Sequence, residues 1–412
     1  MKQNFIKKIL LYIFLIGLVL YIIKPILFIK FGIRWGYLPL IPAILSLFCM
    51  RILYEREKTS LRVSSQWAMA FKGFRILLIV LFVWGGIRGN NIYVMVQELV
   101  PLWILLSFFD LGRYDQFWND LMPVAVWGTL VGFILIFATS RIQEVNFNYG
   151  VFSEGVGGLE RYFIEGTRAE TQSIGYQMWS LVGLWPILFG VAILSRERSK
   201  LRWISYLFPG LYLATCLLFT KRAPTARGML YVVLFVYFFP MALGKVNIRR
   251  SVVIGLTAIL CLLFVGQAYF DTLVVRFQTK DYSRFEEAQS CIVDLGVGDS
   301  IIGRGLGGEF VPHSGWKAGI NLRGMRTALH IGILVPYLKG GISYLAIFLI
   351  IFILPSFSYK DRKWKENPFN IAAQGTVWVV FLFFFIEGFV SHSNIPFAML
   401  LGMSSARMYC IE

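Results

Sequence analysis

The sequence predicts an all-α polytopic membrane protein with about twelve transmembrane helices and a large outward-facing loop that carries short helices. Of its 412 residues, 57% are hydrophobic and only 15% are charged, which is more apolar than a soluble domain. Many apolar runs approach the roughly 20 residues that a helix needs to cross a bilayer. The opening MKQNFIKK leads into an apolar run that has no small-residue cleavage site. We therefore expect a retained first span and one integral membrane domain over residues 1–412.

The apolar runs define the predicted spans in chain order. Hydropathy fixes each of them to within a few residues. A shorter apolar piece, 328–338, is too short to cross a membrane alone. The predicted spans are 8–29, 37–54, 73–88, 92–109, 121–139, 173–194, 203–220, 228–244, 252–270, 342–358, 370–389 and 395–406.

Lys and Arg in the short loops set the predicted orientation, because cytoplasmic loops are enriched in them. With the N-terminus inside, four basic segments share the cytoplasmic side: 51–62, 195–202, 245–250 and 359–365. A first outer loop, 140–172, and a large outer loop, 271–341, then face outwards. The apolar piece 328–338 makes the end of the large loop a candidate re-entrant or interfacial short helix.

The stretch IIGRGLGGEF, residues 301–310, contains the G-x-G-x-x-G spacing of a dinucleotide-binding loop in Gly303, Gly305 and Gly308. That spacing has its meaning only between a buried strand and a helix in a βαβ unit. This stretch lies in a predicted outer loop with no such pattern, so we reject nucleotide binding. We expect the glycines to permit tight turns or close backbone approach.

The predicted outer face is basic where carboxylates are missing. No Asp or Glu occurs between Glu197 and Asp271, or between Glu309 and Asp361. Cations near a membrane are costly, so a group of them suggests an anion, and Arg pairs well with phosphate. The alternatives are cations that reach lipid headgroups or that pair with distant glutamates. No nucleic-acid-binding pattern is present.

His330 is the candidate base among three histidines, all predicted on the outer side. Thr327 is placed to cap a short helix whose third residue would be His330. A helix N-terminus and the nearby Arg326 disfavour a charged imidazole, which keeps the ring available as a base. The alternative is an interfacial histidine that only forms hydrogen bonds.

Three further features have structural and functional interpretations. Glu98 and Glu387, within or at the ends of spans, are either proton carriers or groups that lie at the interface or pair with an Arg. Residues 281–296 predict an amphipathic helix that Asp281 caps and Gly296 ends, lying over the outer mouth of the bundle. The five cysteines form no C-x-x-C motif, and neither a disulfide framework nor a metal site follows from them.

The order of these motifs resembles the O-antigen polymerase (Wzy) and O-antigen ligase superfamily of bacterial envelope glycosyltransferases. A basic turn, FTKRAPTARG (219–228), precedes a large outer loop with Arg276 and Arg284. A glycine-rich turn, DSIIGRGLGG (299–308), follows, and then a His opening a short apolar helix that ends in Gly-Gly (330–341). The resemblance covers mainly residues 215–345, and the twelve-span layout agrees with it.

The resemblance implies a C-type glycosyltransferase fold and an enzyme that needs no metal or other cofactor. Such an enzyme takes a glycan from undecaprenyl pyrophosphate at the outer face of the bacterial cytoplasmic (inner) membrane. By position, His330 matches the base, while Arg222 and either Arg276 or Arg284 match the groups that hold pyrophosphate. Further substrate contacts are expected from Lys221, Arg227, Arg326 and Arg304.

The expected partners are the lipid-linked oligosaccharide and membrane lipid, with a chain-length regulator as a further candidate. Ligases of this superfamily usually have a small polar residue after the His, and Ile331 stands there. That difference favours a polymerase, which joins one lipid-linked unit to another, over a ligase, which uses a lipid A-core acceptor. A flippase for lipid-linked sugars and a peptidoglycan-type polymerase are also compatible with this layout. The peptidoglycan-type polymerase would use an acidic outer residue, with Asp294, Asp299 and Glu309 as candidates.

Overall fold

The computed structural model describes a helical protein, and its described residues are 2–31, 38–56, 62–63, 65–123, 131, 134, 283–312, 329, 331–358, 364, 366–385 and 395–411. Four of the described helices are long and apolar enough to cross a membrane, and the apolar helical stretch Phe369–Leu382 is shorter. The multi-pass helical membrane class is therefore confirmed. The predicted spans 173–194, 203–220, 228–244 and 252–270 lie outside the described residues, as does the loop 140–172. The count of twelve stays a prediction.

The described residues fall into two compact units. The first unit contains α1 (Lys2–Phe31), α2 (Leu40–Glu55) and a helical segment, 115–123. Gly17 permits the close approach of α1 and α2, because a Cβ there would lie 2.5 Å from the carbonyl oxygen of Pro39. Lys7 is buried, and its Nζ lies 4.0 Å from the centre of the Tyr54 ring. The Tyr54 hydroxyl donates to Asp120 at 2.7 Å, which ties α2 to the third segment.

The second unit contains most of the remaining helices. They are α3 (Ser65–Ile87), α4 (Ile92–Gly112), α5 (Ser283–Ile302), α6 (Leu334–Phe352), most of α7 (Pro368–Phe384) and α8 (Ile395–Met408). A short 3₁₀ helix, Leu354–Phe357, follows α6. The strands β1 (Arg62–Val63) and β2 (Cys410–Ile411) pair antiparallel, with Arg62 opposite Ile411. Only these two-residue strands interrupt the helical class in the described part of the chain.

The helix α8 forms the centre of the second unit. Its residues are buried on every side, with Phe397, Leu401 and Met403 all at 0% exposure. Ser404, Ser405 and Arg407 are also fully buried, so α8 brings polar as well as apolar side chains into the core. With 14 residues α8 is about 21 Å long, which is shorter than the roughly 30 Å hydrocarbon core. The prediction that residues 395–406 cross the bilayer stays a prediction.

Helix α4 packs against α8 through glycines. A Cβ on Gly402 would overlap the carbonyl oxygen of Leu105, and one on Gly112 would lie 2.8 Å from the Cα of Met403. Small residues at such contacts let two helix backbones approach closely, as is common between membrane helices. Near the end of α4, the rings of Phe71 and Phe109 stack at 3.6 Å and hold α3 against it.

Several predicted element boundaries change in the structure, and α1 begins at Lys2, six residues before the predicted span 8–29. The helix α3 begins at Ser65, eight residues before the predicted span 73–88, because Phe71 in this extra turn is buried against Phe109. The predicted helix 281–296 does break at Gly296, which has φ 62° and ψ −170°. Helical structure resumes after that kink and continues to Ile302. This places the start of the glycine-rich segment directly after a helix.

We expect Gly402→Ala to destabilise the protein by about 1–3 kcal/mol, because the new methyl group must push α4 away from α8. Thermal unfolding in detergent measures the effect. Gly73→Ala is the matched control, since a Cβ on that helical glycine of α3 meets nothing within 4 Å. That control should be neutral or stabilised by up to about 1 kcal/mol, as alanine favours helices. Equal effects of the two substitutions would contradict the close α4–α8 contact.

Candidate functional site

The glycine-rich loop 303–308 links α5 to the rest of the second unit, and its backbone turns sharply three times. Gly303, Gly305 and Gly307 have φ values of 70°, 77° and 74°. These values lie in the left-handed region, which residues with a Cβ rarely adopt. The expectation that the glycines permit tight turns is therefore confirmed. The third glycine of this kind is Gly307, beside Gly308 of the G-x-G-x-x-G spacing.

The loop also lies directly against the backbones of two helices. A Cβ on Gly305 would overlap the backbone of Gly85 in α3, and one on Gly303 would overlap that of Gly340 in α6. In return, a Cβ on Gly341 would overlap the backbone of Ile301. The expected close backbone approach is confirmed at all three places. Two glycine-rich segments that are separated by more than thirty residues in sequence thus meet in the structure.

Every backbone N–H of the loop 303–308 donates to a protein oxygen. The acceptors, in chain order from residue 303 to residue 308, are the backbone carbonyls of Asp299, Leu338, Lys339 and Leu81, the carboxylate of Glu98, and the carbonyl of Gly305. A phosphate-binding glycine loop needs its N–H groups directed at the ligand. Because all six are already used, the loop offers no such cradle. This agrees with the rejection of nucleotide binding.

A buried ion pair holds the loop from the inside. Lys339 Nζ lies 2.6 Å from Glu98 Oε1, and the lysine side chain is completely buried. The second oxygen of Glu98 accepts the Gly307 N–H at 2.7 Å, and Lys339 Nζ donates to the Gly308 carbonyl at 2.7 Å. Glu98 therefore pairs with a cation, but the partner is Lys339 and not the Arg that the sequence interpretation named. Lys339 has no acidic neighbour in sequence, and its partner Glu98 lies 241 positions away in the chain.

The Lys339–Glu98 pair also shows how far the loop lies along the length of α4. Glu98 lies six residues into α4, or about 9 Å along that helix. Irregular backbone is tolerated among membrane helices only where the protein satisfies its polar groups. The loop fulfils this condition with its own hydrogen bonds and with the two charged side chains.

A second charged cluster surrounds Arg304 on the outer edge of the loop. Its Nε lies 2.9 Å from Asp299 Oδ2, and its Nη1 lies 2.6 Å from Asp294 Oδ2. Nη1 also donates to the Glu309 carbonyl, and Nη2 donates to the Asp294 carbonyl. Arg88, directly after α3, lies 2.7 Å from the same Asp299 oxygen. The cluster therefore ties α5, the loop and the end of α3 together.

The charge of Arg304 is stabilised by its surroundings. Burial by itself disfavours the guanidinium charge, but the hydrogen bonds to Asp299 and Asp294 outweigh burial and raise the pKa of Arg304 above its ordinary value. All three guanidinium nitrogens already have protein partners. A phosphate at Arg304 would have to share or replace these contacts. The predicted role of Arg304 in substrate binding stays a prediction.

Most of the predicted site residues lie outside the described part of the chain. Arg284 belongs to the first turn of α5, and its side chain is not described. Arg304 alone among the predicted set has described contacts. The predicted residues outside the described ranges are His330, Arg276, Arg222, Lys221, Arg227 and Arg326.

The chain on either side of His330 is described, and it is anchored to the second unit. Leu329 packs into an apolar cluster with Cys291, Leu295, Phe310, Val335 and Leu338. After the histidine, residues 331–333 form a turn, and the Ile333 N–H donates to the Phe384 carbonyl at 2.8 Å. Helix α6 then begins at Leu334.

This start corrects the predicted helix 328–338. Leu329 and residues 331–333 are not helical, and α6 begins at Leu334, six positions after the predicted start at 328. The turn 331–333 replaces that part of the helix, because the N–H of Leu334 and that of Val335 donate to the carbonyls of Ile331 and Gly332. The predicted Gly-Gly ending is right, since α6 is broken by non-helical backbone at Gly340 and Gly341. The predicted tenth span resumes at Ile342.

The sequence did not identify the residues whose side chains donate hydrogen bonds to the loop. Trp84 donates its indole N–H to the Gly303 carbonyl at 3.1 Å, and Asn90 donates to the carbonyls of Arg304 and Leu306 at 2.8 Å. A signal was present in IRGNN after a Gly-Gly pair in α3, because polar amides and small residues at the end of an apolar span often serve contacts between helices.

Comparison with protein-family models, with curated proteins and with solved structures finds no match to this chain. Within the described residues, no group of three or more His, Cys, Asp or Glu side chains is arranged to hold a metal ion. The described part of the site thus consists of a hydrogen-bonded glycine loop, a buried ion pair and an Arg–Asp cluster. Asp294 and Asp299, two candidate acidic residues of a peptidoglycan-type polymerase, both pair with Arg304.

We expect Lys339→Met to destabilise the protein by about 3–5 kcal/mol, because it leaves the Glu98 carboxylate buried without a cation. Adding Glu98→Gln should recover most of that loss, since the amide oxygen still accepts the Gly307 N–H. Thermal unfolding of the two single variants and the double variant measures the coupling. The control is Arg51→Met, which removes the partly exposed Arg51–Glu55 pair and should cost less than about 1 kcal/mol. A Lys339→Met protein as stable as wild type would contradict this assignment.

Cys291 should resist thiol reagents in the folded protein. Burial raises the pKa of its thiol to about 12, against the partial opposing effect of the Lys339 and Arg304 charges. At pH 8 such a thiol is ionised in roughly one molecule in ten thousand, and the thiolate is the reactive form. The test follows maleimide labelling after serine replacement of Cys49, Cys216, Cys261 and Cys410. Gln289→Cys, exposed on the same helix, is the positive control; labelling of Cys291 at the same rate would refute the buried position.

Proposed function

We propose that this chain is a glycosyltransferase of the O-antigen polymerase type. It would transfer an oligosaccharide from undecaprenyl pyrophosphate to the non-reducing-end hydroxyl of another lipid-linked unit at the outer face of the cytoplasmic membrane. The observation that supports this most strongly is the meeting of the two glycine-rich segments that the resemblance identified. The turn 303–308 and the Gly340–Gly341 break lie against each other through their backbones.

The chemistry that this proposal needs is modest. A pyrophosphate leaving group already activates the sugar, so the enzyme must stabilise the departing charge and deprotonate the acceptor hydroxyl. We assign the second task to His330. The anchored chain on both sides of it, at Leu329 and at the turn 331–333, supports this assignment because a base acts only when it is held in position.

Pyrophosphate binding is assigned to the cations that the resemblance matches by position, which are Arg222 and either Arg276 or Arg284. Arg222 and Arg227 lie in the long stretch between Glu197 and Asp271 that has no carboxylate. Arg276 and Arg284 follow this stretch at the start of the large loop. Arg304 already has two carboxylate partners in the structure. We therefore assign the leaving group to Arg222, with Arg276 or Arg284, and not to Arg304.

The ligase alternative differs in its acceptor, and Ile331 after His330 is the residue that favours a polymerase. A flippase is the alternative from another class. Such transporters are usually built from two similar halves with a binding site near the midplane. The sequence halves here are unlike, and the polar residues concentrate in one large loop. Product analysis separates the two, because an enzyme cleaves the donor and a flippase only moves it.

We expect wild-type protein in lipid nanodiscs to convert its undecaprenyl-pyrophosphate repeat unit into a ladder of longer glycans, with a chelator present. His330→Ala should abolish the ladder, with a loss of about a hundredfold or more in rate when a general base is removed. His313→Ala is the matched control and should keep its activity. Glycan length is read by gel electrophoresis or mass spectrometry.

Three outcomes of this experiment would count against the proposal. An uncleaved donor with wild-type protein would exclude the polymerase and favour a flippase. A donor that is consumed only when a lipid A-core acceptor is added would indicate the ligase. Equal losses in the two histidine variants would remove His330 as the base.

A further inference from the structure

The second half of α5 exposes large apolar side chains on a segment that the hydropathy analysis assigned to a polar loop. Val297 is 83% exposed and Val293 is 72% exposed. Ile292, Ile301 and Ile302 are each about half exposed. Contiguous apolar surface of this kind marks a site for a partner or a membrane.

The exposed apolar side is additional to the side that α5 uses for folding. The opposite side buries Cys291 and Leu295 in the cluster with Phe310, Val335 and Leu338. The exposed valines and isoleucines are therefore not part of this buried cluster. We expect these exposed side chains to contact an apolar environment outside the chain.

The apolar surface continues onto a membrane-spanning helix. An open groove of about 390 Å³ lies between Val297 and Ile301 of α5 and Tyr337 and Ile342 of α6. Ile342 begins the part of α6 that follows its break, and it is 59% exposed. Since α6 is one of the helices long and apolar enough to cross a membrane, the groove opens beside the exposed side of a candidate membrane span.

The end of α5 is also held at the level where two spans end. Asp299 pairs with Arg88, which directly follows α3, and Asn90 binds the loop after α5 just before α4 begins. Because the helices α3 and α4 both have the length and composition of membrane spans, their connecting turn lies at the membrane boundary. The C-terminal half of α5 is therefore at the depth of the interface.

The polarity of the exposed residues changes along the helix. Glu286 and Gln289 are exposed in the first half of α5, and their spacing of i, i+3 and i+7 with Val293 puts the three on one face. That face is thus polar before residue 290 and apolar after it. A helix of this kind fits a boundary that it enters at an angle, with one end in water.

From these contacts we infer that residues 292–302 of α5 lie in the membrane interface, with their apolar side against the acyl chains of bilayer lipid, while residues 283–290 remain in water. Interfacial helices bury their apolar side in this way. The Arg88–Asp299 and Arg304–Asp294 pairs tie the inserted half to α3 and to the loop. The inference goes beyond the proposed glycan transfer and does not depend on it.

The test places a fluorophore on the full-length protein in nanodiscs of phosphatidylcholine and phosphatidylglycerol that contain no polyprenyl lipid. Cys49, Cys216, Cys261 and Cys410 are replaced by serine, and buried Cys291 is kept. Bimane is attached at Val297→Cys or, as the matched control on the same helix, at Gln289→Cys. Quenching is measured with iodide in the water and with lipids that carry a nitroxide near the top of the acyl chain.

We expect the nitroxide lipid to quench the probe at position 297 about threefold or more above the probe at position 289, with the reverse order for iodide. Both positions are exposed, so neither substitution disturbs the core. Equal iodide quenching at the two positions would overturn the inference, because residue 297 would then be in water. Shielding of position 297 from both quenchers would also overturn it, since protein, such as a second copy of this chain, would then cover the groove.

Discussion

Irregular backbone among membrane helices must find all its hydrogen-bond partners in the protein, and the loop 303–308 is organised by this constraint. Its six N–H groups are donated to α3, α4, α5, α6 and to the loop itself. An unsatisfied buried N–H costs about 1–3 kcal/mol, so six of them together would be incompatible with folding. Glu98 and Lys339 complete the set, because the carboxylate accepts one N–H and the ammonium donates to one carbonyl. The ion pair is therefore part of the backbone hydrogen bonding of the loop.

The same constraint explains the glycines at the loop and at its neighbours. Direct hydrogen bonds from the loop to the backbone of α3 and α6 require the chains to approach without intervening side chains. Gly85 on α3 and the pair Gly340–Gly341 on α6 provide this space. The break in α6 has a second consequence. It frees the carbonyls of Leu338 and Lys339 to accept from Arg304 and Gly305 instead of from the next helical turn.

Local sequence features predicted most of the helices, but they did not predict contacts between residues that are far apart in sequence. Apolar runs located α2, α4 and α8 within a few residues, and Gly-Gly at 340–341 correctly ended the short helix, because both signals depend on neighbours in the chain. The start of α6 at Leu334 was missed, since the turn 331–333 is fixed in part by a hydrogen bond to Phe384. The partner of Lys339 was also missed. No pattern in one sequence relates it to Glu98, because their contact exists only after α4 and α6 pack together.

These pairings divide the basic residues into two classes, and the division bears on where an anion can bind. Arg88, Arg304 and Lys339 each contact a carboxylate, so their charges are locally neutralised and a phosphate would gain little extra attraction from them. A lack of acidic neighbours in sequence does not by itself leave a cation unpaired, because Lys339 lies in a segment without carboxylates and pairs with Glu98. The segment from residue 198 to residue 270 has no Asp or Glu and contains Lys221, Arg222 and Arg227. In the proposed reaction these neutralised cations hold the glycine loop in place, and Arg222 with Arg276 or Arg284 binds the pyrophosphate.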